Sequence, residues 1–200
     1  RNLAADRGAP VAARWPPDLM RAWYTPETYG VPMRFVAKLR DLQFNDGERK
    51  APRGAILPDD ELIAATAVHG IPLMSTSSLL WPTGLDRPWW AARDLLGRDG
   101  ATWHPYWERS NALSAEPKGI IVSYFQRAAD RAVLLVIANM GESATTARVA
   151  INAPVLGATR WLVQRTLPDW LSATIEEDAV SVPLASGQAA FVLLVPAGPQ

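Results

Sequence analysis

The chain has 200 residues, no cysteine, and a formal net charge of zero from 20 basic and 20 acidic side chains. Hydrophobic residues make up 48% and charged residues 20%, the balance of a globular protein able to bury a core. Residues 1–110 carry 14 basic and 13 acidic side chains and the remainder 6 and 7, so nucleic acid and anionic membranes find no electrostatic footprint.

The lack of cysteine excludes disulfides, zinc-thiolate sites and thiol nucleophiles. No apolar run approaches the roughly 20 residues that span a bilayer. Residues 1–16, rich in Ala, Arg and Pro, read as loop or extended linker. The start RNLAADRGAPVAARWPPDLM has no apolar h-region and no initial Met. It is not a signal peptide, and it leads us to expect a processed or truncated piece of a longer chain.

Pro16-Pro17-Asp18 opens a short helix through Leu19, Met20 and Trp23. Thr25-Pro26-Glu27 and Gly30-Val31-Pro32 are turn punctuation. Apolar residues at 35, 36, 39 and 42 predict a helix over 33–44, ended by Asn45-Asp46-Gly47. Pro58-Asp59-Asp60-Glu61 before LIAATAVHG is a strong helix signature: acid in the positive first turn, and Gly70 as the αL residue that stops it. Ile71-Pro72-Leu73-Met74 reads as a short buried strand, the close of an α/β unit. Asp86-Arg87-Pro88 starts the helix WWAARDLL, which Gly97 ends.

From Lys118 the pattern changes. GIIVSYFQR, AVLLVIAN, TTARVAI, TRWLVQR, AVSVPL and AAFVLLV are short β-rich segments separated by turns, with Ala129-Asp130-Arg131 as a hairpin tip. Ala147, Val149 and Ile151 fall on one face with Arg148 on the other, whereas 133–137 and 191–195 are continuously apolar, as central strands are. These segments predict an antiparallel β-sandwich. The expected division is 1–110, helix-containing, and 111–200, all-β.

Between the two lies Trp81 to Trp107, with five of the nine tryptophans and one of the two histidines. Three stretches, HPYWERSNALSAEPKGIIVSYFQR, RAVLLVIANMGESATTARVAI and VSVPLASGQAAFVLLVP, resemble the C-terminal end of a carbohydrate-active enzyme, most closely the glycoside hydrolase family 123 type. The resemblance covers roughly residues 55 to 196. It implies α/β followed by all-β: terminal elements of a (β/α)8 barrel plus a C-terminal antiparallel β-sandwich. It further implies retaining hydrolysis of glycans, with an N-acetylhexosamine as one candidate sugar, and favours a secreted or periplasmic location. A barrel needs about 250 residues, and about 110 precede the sandwich. The catalytic carboxylates are therefore expected on an upstream part, supplied by the remainder of the same polypeptide or by a companion chain. This chain alone is expected to be inactive.

Asp60-Glu61 is the only adjacent Asp-Glu pair in the first 110 residues, and its place at a helix start makes it capping chemistry rather than an acid/base pair. Trp81, in a loop after the Ile71–Met74 strand, would lie on the active-site face of a barrel and could stack on a sugar ring. Trp89 and Trp90 sit about 100° apart on one helix, so one faces the core while the other lines a subsite or the domain interface. His104 and Tyr106 complete the candidate substrate-binding set, each with a junction-packing reading beside it. His69, at a helix C-terminus, is favourably placed as a cation. Two histidines 35 positions apart give no metal-ligand spacing, and no cofactor motif occurs, so neither metal nor cofactor is expected. The alternatives are a non-catalytic carbohydrate-binding or interaction module, and a structural subunit.

Overall fold

The computed structural model describes residues 16–24, 35–37, 58–71, 73–75, 87–97, 100–108, 110 and 112–198, with the backbone alone at 23–24, 35–37, 58–60, 73–75 and 87–89. It is β-rich and mostly antiparallel, with few helices. The first elements are α1 (Pro17–Tyr24), β1 (Phe35–Ala37), α2 (Pro58–Ala67), β2 (Leu73–Ser75) and α3 (Arg87–Leu96). There follow β3 (Ala101–His104), β4 (Leu113–Glu116), β5 (Ile120–Arg127), β6 (Val133–Asn139), β7 (Thr145–Ile151) and α4 (Ala153–Leu156). The chain closes with β8 (Trp161–Leu167), β9 (Thr174–Glu176), β10 (Ala179–Leu184) and β11 (Ala189–Pro196).

β1 and β2 form a two-stranded parallel sheet with Phe35 opposite Leu73, and α2 lies between them in sequence. The helix predicted over 33–44 is therefore corrected at 35–37. Adjacent Phe35, Val36 and Ala37 fit a short strand as well as a helix, and parallel pairing with β2 decides it; residues 38–44 lie outside the described residues.

The remaining strands form two antiparallel sheets, ordered β4-β7-β10-β9 and β3-β5-β6-β11-β8. One core lies between them: Val133, Leu135 and Ile137 of β6, with Val192 and Leu194 of β11, face Val149 of β7 and Val180 and Val182 of β10. The other row of the same two strands, Leu134, Val136 and Ala138 with Phe191 and Leu193, faces Leu62, Ile63, Ala65 and Leu96 of the helices. The five-stranded sheet is thus covered on both faces, which is why β6 and β11 are apolar throughout while β7 alternates. Phe191 is 2% exposed at the centre of the helix-side core; truncation to Ala there costs about 3–5 kcal/mol.

Residues 62–69 are buried without interruption. A helix apolar all round must be covered all round, and α2 packs against β6 and β11 on one side and α1 and β2 on the other. β3 lies before residue 110, yet its Trp103 and His104 pair with Phe125 and Tyr124 of β5. Hydrogen bonding into the sheet thus begins at Ala101.

Candidate functional site

The stretch after β3 docks on the end of α2. Ser123 on β5 is fully buried, and its hydroxyl donates to the carbonyl of Val68 at 2.6 Å while accepting the Tyr106 N–H at 3.0 Å. One serine therefore satisfies the last turn of α2, whose final carbonyls lack helical partners, and fixes the turn carrying Tyr106. The Tyr106 hydroxyl then lies 3.2 Å from Nε2 of His69.

His69 has no solvent exposure. Its Nδ1 is 2.5 Å from the Ala65 carbonyl and its Nε2 is 3.1 Å from that of Pro17. Burial pushes its pKa below the ordinary value, against the two carbonyls that favour the charged form. The ring is therefore neutral: Nδ1–H donates to Ala65, and Nε2 accepts the Tyr106 hydroxyl. The cationic role expected for His69 is corrected, because desolvation outweighs the helix end. Tyr106 is pushed up to about 12, first by burial and then by the Asp18 carboxylate, with Arg21 opposing.

Aromatic rings extend this junction. Trp107 meets Tyr106 edge-on at 4.8 Å, Trp103 edge-on at 5.5 Å, and the guanidinium of Arg21 at 5.0 Å from its ring centre. Trp103 continues to Phe125 at 6.4 Å. The result is a continuous seam of rings between helices and sheet.

His104 is turned the other way. It stacks on Tyr124 at 4.5 Å and 10°, and its Nδ1 is 2.9 Å from Oε2 of Glu108. Tyr124 belongs to the core between the sheets, so His104 and Tyr106 do not share a site. Trp90 is partly buried against the helix-side core. Trp89 lies on α3 with its side chain outside the described residues, and Trp81 and its loop lie wholly outside them. Asp60 and Glu61 fall in the first turn of α2, and Glu61 packs against the β10–β11 turn. Gly187 there has φ +75, and an added Cβ would lie 2.5 Å from the Glu61 Cγ.

A second feature was not picked out from the sequence. Val163, Gln164, Arg165, Thr166, Asp169, Leu171, Ser172 and Ala173 line an open groove of about 480 Å³ along β8 and the segment after it. Arg165 donates to Asp169 at 2.6 Å across it, and Trp170 is 46% exposed. The available signal was a tryptophan inside the polar turn Pro168-Asp169-Trp170. Among the described residues, no group of three or more His, Asp or Glu could hold a metal, and no helix is long and apolar enough to cross a membrane.

No protein-family model and no curated protein matches the chain. Among solved structures, it is similar to a noncanonic maltogenic alpha-amylase AmyB from Thermotoga neapolitana, with 10% identity and a TM-score of 0.45 over 70% of this chain. It is also similar to alpha-L-fucosidase isoenzyme 2 from Paenibacillus thiaminolyticus, with 13% identity and a TM-score of 0.29 over 57% of this chain. The chain spans 38% of the first protein and 18% of the second. Both structural neighbours are glycoside hydrolases.

Proposed function

We propose that the chain is the C-terminal part of a glycan-acting glycoside hydrolase of the family 123 type. In this reading, residues 1–110 carry the last barrel elements together with β3, the first strand of the five-stranded sheet, and 111–200 carry the rest of the accessory sheets. The catalytic carboxylates sit on further barrel strands, in the rest of the polypeptide or in a companion chain.

The observation that supports this reading is the burial of α2 on every side. A parallel β1–α2–β2 unit is the repeating element of a barrel, and its helix is packed between β2 and α1 on one side and the five-stranded sheet on the other. A parallel pair of three residues per strand is too small to stand by itself and gains stability by extension into a larger parallel sheet. The segment after β2, which carries Trp81, then belongs to the substrate face, where the indole contacts sugar. Tyr106 contributes by holding the module against the helices, through its contact with His69.

Expression of this chain together with the coding sequence upstream of it tests the reading. The expected result is turnover of aryl glycosides, with an aryl N-acetylhexosaminide first in the panel, by the extended protein and none by residues 1–200. A folded extended protein that lacks further parallel βα units and turns over no member of the panel sinks it.

A further inference from the structure

Among the described residues, β8 is the outer strand of its sheet and pairs only with β11. Its register breaks: Leu193 is opposite Arg165 and Leu194 opposite Val163, so Gln164 is an extra residue, a β-bulge. A bulge at a sheet edge re-aims the side chains beside it. Here Val163 and Thr166 match Leu194 and Val192, both in the core between the sheets, while Gln164 and Arg165 are turned out to solvent. After Pro168 the chain runs back through Asp169–Ala173 and supplies the opposite wall of the groove.

The groove's chemistry is specific. It offers an amide, a guanidinium, a carboxylate and two hydroxyls beside the apolar Val163 and Leu171. The groove is open to solvent, with a volume of about 480 Å³, a shape that admits a chain lying along the surface rather than enclosing a small molecule. Arg165 and Asp169 cancel in charge, which disfavours a polyanion. The polar lining disfavours an amphipathic helix, which needs an apolar trough. An Arg–carboxylate pair fixed at 2.6 Å presents donors and an acceptor side by side, the pattern that neighbouring ring hydroxyls match. Trp170 is not one of the groove's lining residues, but its chain neighbours Asp169 and Leu171 are, and its exposed indole offers a flat apolar face for the C–H side of a sugar ring beside the groove.

We propose that this β8 groove is a binding site for a neutral glycan chain. Trp170 stacks on one pyranose ring, and Arg165, Asp169 and Gln164 hydrogen-bond its hydroxyls. The choice of ligand class rests on the glycan reading above. The groove anchors substrate chains and performs no bond cleavage.

Affinity electrophoresis of residues 1–200 in native gels containing soluble starch, xylan or glycol chitin tests this. At least one polysaccharide is expected to retard the chain. Trp170→Ala should weaken that retardation by ~10-fold or more, the equivalent of one lost stacking contact with its polar neighbours. Trp170→Tyr should keep part of it, Arg165→Gln should weaken it several-fold, and Val155→Ala, an exposed apolar residue elsewhere, should leave it unchanged. Circular dichroism confirms that each variant is folded. The proposal is overturned if no polysaccharide retards the chain, if Trp170→Ala and Arg165→Gln retain full affinity, or if Val155→Ala loses as much as Trp170→Ala. Turnover of a small aryl glycoside by the extended protein is read separately. Turnover with no groove binding removes this proposal alone, and groove binding without turnover removes the hydrolase reading alone.

Discussion

Gly70 and Trp103 are in direct contact across the junction of helix and sheet. The glycine ends α2 with φ +68, and a Cβ built on it would lie 2.8 Å from Cε2 of the indole. Two penalties therefore meet at one position, left-handed backbone and an occupied space. Gly70→Ala should cost about 2–3 kcal/mol in urea unfolding. In a Trp103→Leu background the steric part should vanish, leaving about 1 kcal/mol of backbone strain. Strict additivity of the two substitutions would show that the ring does not press on the glycine.

Stability should fall with acid through His69. Burial holds its folded pKa below the ordinary 6.5, so the unfolded chain takes up the proton first as pH drops. The contribution of the neutral ring is fully present above the unfolded value and is lost as pH falls through the folded one. A melting series from neutral to mildly acidic pH should show this decline, and His69→Gln should flatten it. Parallel slopes for wild type and variant would count against it.

Tyr106 works at the other end of the scale. Its folded pKa of about 12 stands above the ordinary 10.0, so the stability it confers is complete below the lower value and disappears as pH rises through the higher. Phenolate absorbance should show a late-titrating tyrosine that is absent in Tyr106→Phe. A variant with an unchanged titration curve would mean that another tyrosine is responsible.

Arg127 ties the β5–β6 hairpin to α3. It grips Asp130 through Nε at 2.7 Å and Nη2 at 2.5 Å, and its Nη1 donates to the carbonyl of Leu96 at the end of the helix. The pair lowers the Asp130 pKa and raises that of Arg127. Arg127→Ala should lose about 1–2 kcal/mol, with faster amide exchange at the end of α3. Arg127→Lys should recover little, because an ammonium cannot form the two-pronged contact. Full recovery by lysine would reduce the interaction to simple charge.

Truncation should separate the strands from the residue-110 division. A 111–200 fragment loses β3, so the outer edge of β5 and the Phe125 ring are left uncovered. It should bind hydrophobic dye and unfold without a sharp transition. A fragment that melts as cooperatively as the whole chain would contradict this.

The sequence shows most clearly those elements whose side chains face one constant environment. β6 and β11 were readable because both of their faces are buried, β7 because only one is, and α2 because Asp60-Glu61 and Gly70 punctuate it. β3, β4 and β9 were not readable. They have three or four residues each and alternate between partial and full exposure, so no strong apolar signal marks them. β1 was misread because three residues cannot distinguish period 2 from period 3.6. Of the candidate residues, His104 ends β3 and Tyr106 lies two positions on, in the turn after it, so strand alternation does not govern the pair and tertiary contacts alone give them different neighbours. His69 entered that site through tertiary contact, 37 positions away from Tyr106. Trp170 lay in a turn, where composition alone says little about exposure.

Each residue along β6 and β11 alternately feeds the core between the sheets and the core beneath the helices. Neither core can be wetted without disturbing the strands that wall the other. Loosening of the helices and loosening of the sheets are therefore one event, and the amides of β6 and β11 should exchange last, together. A hinge between the two layers has no place to form. The helix layer and the outer groove on β8 accordingly keep a fixed spacing and angle, like two jaws cut from one block.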